Sequence, residues 1–211
     1  MTAVLGLLAL LLGFSFSMVM DRYETRRILV IEEANALGTT WLRIQILDAP
    51  ERQTMSVLLE RYVDARLVWS ETGAEGPATP EAEALQRQLW TAMGDVLRSG
   101  NPPLLTRGVM DTLNESFDLA VTRQSARGAH LPDAVFYSLI IYAAVSMVML
   151  GALLGAHRKP HRTQTMLLLV LLTLIHLVIL DLDRPRAGNI QVSQQALIDL
   201  RQAMTADQIG R

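Results

Sequence analysis

The stretch Ala3-Val4-Leu5-Gly6-Leu7-Leu8-Ala9-Leu10-Leu11-Leu12-Gly13-Phe14-Ser15-Phe16-Ser17-Met18-Val19-Met20 runs directly into Asp21-Arg22-Tyr23-Glu24, and the fold turns on that junction. Residues 3–20 contain no Asp, Glu, Lys or Arg. As a helix they are long enough for a hydrocarbon core of ~30 Å, which takes roughly 20 apolar residues. Neither Gly nor Pro interrupts the helical pattern between Met20 and Glu24, so one helix is expected to leave the membrane and continue into water. A cleaved leader would not need that continuity. Met1-Thr2-Ala3 also carries no positive charge, and residues 15–20 offer no clear small-x-small cleavage pattern. Residues 1–20 therefore read as a first transmembrane helix, with a periplasmic helical domain behind a cleaved leader as a rival.

Two further uncharged apolar runs occupy residues 134–156 and 166–180, which gives expected spans over 133–156 and 163–181. The second of these reaches spanning length only by including Thr163 to Thr165 and Asp181. Hydrophobic residues make up 50% of the chain and the mean hydropathy is +0.25, more apolar than an ordinary soluble domain. The 19 basic and 21 acidic residues leave a net charge of −2, so there is no cationic surplus for a nucleic-acid backbone. No cysteine is present, which excludes disulfide scaffolds, thiolate metal sites and cysteine nucleophiles.

Residues 21–132 read as a soluble helical domain. Val30, Ala34, Leu37, Trp41, Ile44 and Leu47 recur at helical spacing and form one stripe. Asp48-Ala49-Pro50-Glu51 predicts an N-cap and a proline in the first turn of a second helix, whose face is Met55, Leu58, Leu59, Tyr62, Arg66 and Trp69. After a loop over residues 72–80, Thr79 and Pro80 are placed to cap a third helix bearing Leu85, Leu89, Met93 and Val96. A fourth follows Asn101-Pro102-Pro103, with Leu105, Val109, Leu113, Phe117 and Ala120. Residues 182–211 read as a C-terminal tail. The expected fold is all-α: three transmembrane helices and a helical soluble domain.

No catalytic constellation emerges, and neither an enzyme nor a cofactor is expected. His157 and His161 are spaced i, i+4 with Pro160 between them and no third ligand nearby, which reads as a loop pair rather than a metal site. His176 lies inside an apolar run, where a ring nitrogen needs a partner, and an interhelical hydrogen bond is the expectation. Gly151 and Gly155 form a small-xxx-small step suited to close helix packing. Glu32, Asn35, Gly38 and Thr39 lie on nearby turns, either as ordinary polar packing or as a hydrogen-bonded cluster that holds a partner helix close at Gly38. In the second reading Asn35 is buried and needs partners.

Charge near the span ends sets the expected orientation. Arg22, Arg26, Arg27, Arg123, Arg127, Arg184, Arg186 and Arg201 lie on the domain side, against Arg158, Lys159 and Arg162 in the short loop. Positive flanks stay inside, so the domain and the tail are expected in the cytoplasm and the protein in a bacterial inner membrane.

Several segments resemble a known family. Leu12-Gly13-Phe14 followed by Asp21-Arg22-Tyr23-Glu24-Thr25-Arg26-Arg27, and Leu180-Asp181-Leu182-Asp183-Arg184-Pro185-Arg186-Ala187-Gly188, resemble bestrophin segments. Together with Glu32 to Gly38, Leu131-Pro132-Asp133 and Val192-Ser193-Gln194-Gln195, they are similar to a bacterial integral-membrane family with a bestrophin-like domain. The resemblance implies a pentameric ion channel whose first span here corresponds to the second bestrophin helix, without a counterpart of the first. It does not extend to a calcium clasp, since Asp181 and Asp183 stand beside Arg184 and Arg186 rather than in a dense acidic run. Its partners would be the lipid bilayer, inorganic ions and further copies of the chain.

At 100° per residue, Gly6, Leu10, Phe14, Ser17, Asp21 and Glu24 fall within a stripe about 80° wide on the first helix. The resemblance places Phe14 at the last constriction of a pore helix. The stripe either lines a pore, with acidic side chains at its mouth favouring cations, or packs against the other spans. A non-conducting membrane protein whose soluble helices bind a protein partner is the alternative function.

Overall fold

The computed structural model describes residues 2–72, 78–156, 162–184 and 188–209. Among them are seven helices and no strand: α1 (Thr2–Ile44), α2 (Glu51–Glu71), α3 (Pro80–Arg98), α4 (Pro103–Arg127), α5 (Asp133–Ala156), α6 (Arg162–Asp183) and α7 (Gln195–Ile209). The chain divides into two compact units, one of Met1–Glu24 with Ala129–Gln191 and the other of Thr25–Gly128 with Val192–Arg211. The uninterrupted pattern across Met20 yields a single helix of 43 residues that belongs to the first unit up to Glu24 and to the second from Thr25.

In the first unit, Leu8, Leu12 and Val19 of α1 bury against Leu139 of α5, Ile179 and Leu182 of α6, and Leu131. Much of the remaining apolar surface points outward: Val148 is 71% exposed and Met166 66%. A water-soluble monomer rarely presents so much contiguous apolar surface, and a helix apolar all round needs a non-aqueous surrounding. Two helices, not the three expected, are long and apolar enough among the described residues to cross a bilayer: Ala3–Ile44 and Thr165–Asp183. The stretch of α5 over which every side chain is described, Asp133–Met149, forms a shorter apolar helix, and the helix itself runs on to Ala156. The run that reads shortest in the sequence passes, because α6 stays helical through Asp181 and Asp183.

The second unit is a helical domain built on the predicted stripes. Val30, Leu37, Trp41, Ile44 and Leu47 pack with Met55, Leu59 and Tyr62 of α2, Leu85, Leu89 and Met93 of α3, and Val109 and Leu113 of α4. The Thr79 side chain accepts from Ala82 N at 3.2 Å with Pro80 in the first turn of α3, as the sequence predicts. The start of α2 differs. Pro50 occupies the N-cap position with no side-chain cap, and the Asp48 amide donates to Asn101 Oδ1 at 3.0 Å. Within residues 182–211, α7 buries Leu197 and Met204 in the core of this unit. Trp41 Nε1 donates to Asp207 at 3.2 Å, and Arg201 Nε donates to Asp64 at 2.7 Å. Hydrogen bonding to Asp64 holds the Arg201 pKa above its ordinary value.

Candidate functional site

The first unit presents α1 with two unlike faces. Leu8, Leu12, Ser15 and Val19 are buried, while Gly6, Leu10, Phe14, Ser17 and Asp21 are exposed and Glu24 is half-buried. A helix turns 100° per residue, so these two sets occupy opposite sides of one cylinder. Leu10 and Phe14 are 54% and 63% exposed, and a Cβ added at Gly6 would meet nothing within 4 Å. The candidate stripe is therefore not covered by the other helices of its unit. It presents, in order towards Glu24, a glycine, two bulky apolar side chains, a hydroxyl and two carboxylates.

At the end of α6 two carboxylates fold the chain back on itself. Asp181 accepts from the amides of Asn189 at 2.7 Å and Ile190 at 3.0 Å, one on each oxygen. Gly188 is required there, because a Cβ would collide with the Asp181 carboxylate. Asp183 accepts from Leu131 N at 2.8 Å, and its backbone carbonyl lies 3.0 Å from His130 Nδ1. Both acids thus accept from backbone amides, and Asp183 also lies 3.7 Å from His130 Nδ1. No group of three or more metal-ligating side chains occurs among the described residues.

His176 does not form the expected interhelical bond. Its Nδ1 lies 2.7 Å from the carbonyl of Leu172, one turn back on the same helix. The ring borders an open apolar groove of about 460 Å³ between α5 and α6, with Phe136, Ile140, Met147, Leu169 and Leu177. A Cβ added at Gly151 would meet nothing within 4 Å among the described residues, so close packing at that step is not seen. The Gly155 neighbourhood, His157 and His161 lie outside what is described.

The polar set on the soluble part of α1 separates. Glu32, Asn35 and Thr39 are exposed, and the Thr39 hydroxyl donates only to its own helix, to Asn35 O at 3.0 Å. Asn35 is thus not the buried amide the cluster reading requires. Gly38 does admit a close helix, that of the chain's own α7, with Leu200 Cδ1 3.3 Å from where a Cβ would stand. The buried polar residue is the neighbouring Glu33, with no exposed surface. Arg66 Nε donates to its Oε1 and Arg123 Nη1 to its Oε2, each at 2.5 Å. Arg123 also donates to Gln194. The guanidinium groups of Arg66, Arg127 and Arg123 lie 4.3, 4.5 and 5.3 Å from the Trp69 ring centre. Arg127 Nη1 donates to the Trp69 carbonyl at 2.9 Å and Nη2 to that of Thr72. Buried charges persist only when paired and hydrogen-bonded, and this cluster ties α1, α2 and α4 together. Tyr62 beside it donates no proton readily: burial pushes its hydroxyl up to about 12.

Comparison with known families decides the relationship. The sequence model of the Bestrophin-like domain matches residues 1–197. The chain belongs to the bestrophin-like family. No curated protein and no solved structure matches it. The match takes in the whole exposed stripe of this bestrophin-like chain, the buried Glu33 cluster and the Asp181 turn. The sequence resemblance is thereby confirmed at the level of the family. Glu33 and Arg123 of the bestrophin-like domain were missed by the sequence reading. The signal for Glu33 was its spacing, three residues after Val30 and four before Leu37, on the buried stripe rather than beside it.

Proposed function

We propose that this bestrophin-like protein is an oligomeric ion-conducting membrane protein in which the exposed stripe of α1 lines the pathway. The observation that supports this best is the uncovered stripe itself, because several copies brought around an axis would turn Leu10 and Phe14 into apolar rings. Such rings gate by dewetting, while Gly6 leaves its own level wide. Rings of Asp21 and Glu24 at the soluble end would favour cations. The same reading has α1, α5 and α6 as three spans in a bacterial inner membrane, with the second unit in the cytoplasm. Its partners are lipid, inorganic ions and further copies, in a pentamer if the assembly follows bestrophins.

Planar-bilayer recording of the purified oligomer tests it. Leu10→Ala combined with Phe14→Ala is expected to raise conductance, and Asp21→Asn with Glu24→Gln to move the reversal potential away from cation preference. Oligomer that stays silent with the constriction opened rejects conduction and favours the partner-binding alternative. A monomer in detergent rejects the pore outright.

A further inference from the structure

The Glu33 cluster of the second unit leaves two of its donors unanswered. Arg66 and Trp69 are each 1% exposed. Arg66 Nη2 and Trp69 Nε1 are closed off from solvent, and neither has a hydrogen-bond partner. Both atoms can only donate, since guanidinium and indole nitrogens accept nothing. They belong to adjoining groups, with the Arg66 guanidinium carbon 4.3 Å from the Trp69 ring centre. A buried donor without an acceptor has lost its hydration and gained nothing in return. Charge deepens the deficit. Glu33 is the one carboxylate buried among the described residues, and Arg66 takes one of its oxygens and Arg123 the other. A single anionic side chain thus serves two guanidinium groups.

We propose that a monatomic anion, chloride-like in size and charge, binds in this cluster and accepts from Arg66 Nη2 and Trp69 Nε1. Such an ion accepts several hydrogen bonds and donates none, which is what two leftover donors require. Water also accepts two, but it brings two protons that need acceptors of their own and no charge to set against the second guanidinium. A sulfate or phosphate brings more acceptor oxygens than two donors can occupy. The cluster lies in the second unit and the exposed stripe of α1 in the first, so this anion is a fixed ligand of the soluble helices rather than a conducted ion.

Thermal unfolding of the full-length protein in detergent, in sodium chloride, bromide or gluconate at constant ionic strength, tests the site. Chloride and bromide are expected to raise the melting temperature saturably, and gluconate is not. Bromide is also expected to quench fluorescence saturably in Trp90→Phe, which lacks the exposed tryptophan. Trp69→Phe keeps a ring beside Arg66 but removes one donor, so it should need about tenfold more chloride for half of the effect. Equal melting in chloride and gluconate overturns the proposal and leaves the cluster without an anion, a result that needs no variant. A chloride effect unchanged in Trp69→Phe, or bromide quenching that rises linearly without saturation, overturns the assignment to these two donors.

Discussion

Glu32 and Glu33 differ by one residue and 100° of helix, and that rotation takes one carboxylate to water and the other to a pair of arginines. Replacing Glu33 by Gln keeps the shape but leaves Arg66 and Arg123 buried without their anion. Breaking one side of a buried ion pair costs about 3–5 kcal/mol, against about 0.5 kcal/mol or less for a surface change such as Glu32→Gln. Thermal or denaturant unfolding in detergent should therefore separate the two variants clearly, and equal stability would show that the cluster contributes little. Tyr62 gives a pH dependence. The unfolded chain loses the phenolic proton near its ordinary value of 10.0 and the folded chain near 12, so the contribution is whole below 10 and is lost as pH rises towards 12. The loss approaches about 3 kcal/mol for a shift of that size. Tyr62→Phe, which also removes the acceptor for Gln86 Nε2 at 2.8 Å, should be less stable at neutral pH yet flatter between pH 10 and 12. A wild-type slope unchanged in the Phe variant would assign the alkaline loss to other groups.

Elements whose apolar residues follow one period were legible from the sequence, because the stripe that makes a helix amphipathic is the stripe that packs. This holds for Val30, Ala34, Leu37, Trp41 and Ile44 on α1 and for Leu85, Leu89, Met93 and Val96 on α3, all of them buried. The cap at Thr79 was legible for the same local reason, since hydroxyl and proline suffice to start a helix. Asp48 was not, because its backbone amide is satisfied by Asn101, which is distant in sequence. The α7 helix was read as a tail since its few apolar residues are separated by polar ones, and only the core they enter explains Leu197 and Met204. The candidate site divides likewise. The angular register of Gly6, Leu10, Phe14, Ser17, Asp21 and Glu24 follows from helix geometry alone. Whether α5 and α6 cover that register depends on packing between segments far apart in the chain, and so does the choice of Gly38's partner.

At the scale of the molecule, α7 constrains the crossing of the membrane. It packs in the same unit as Thr25–Gly128, so both must lie on one side of a bilayer, and the chain between them must cross an even number of times. Only α5 and α6 lie in that interval. They cross together or neither crosses. The apolar length of α6 argues for crossing, and at 1.5 Å per residue the 24 residues of α5 reach about 36 Å, enough for a core of ~30 Å. The three spans proposed above satisfy this parity, with α5 and α6 crossing together. By the positive-inside rule, the arginines near the span ends give the expectation that the domain side is cytoplasmic. Three of them, Arg26, Arg123 and Arg127, are buried after folding, but orientation is set on the inserting chain, where they still count. A reporter joined after Arg211 should accordingly be active only in its cytoplasmic form, as should one inserted in the loop between α2 and α3, whereas a single cysteine within residues 157–161 should react with an impermeant reagent from outside. Labelling at 157–161 only from the cytoplasmic side would show that α5 and α6 form a hairpin that does not cross, and reporters at Arg211 and the α2–α3 loop on opposite sides would contradict the packing of α7.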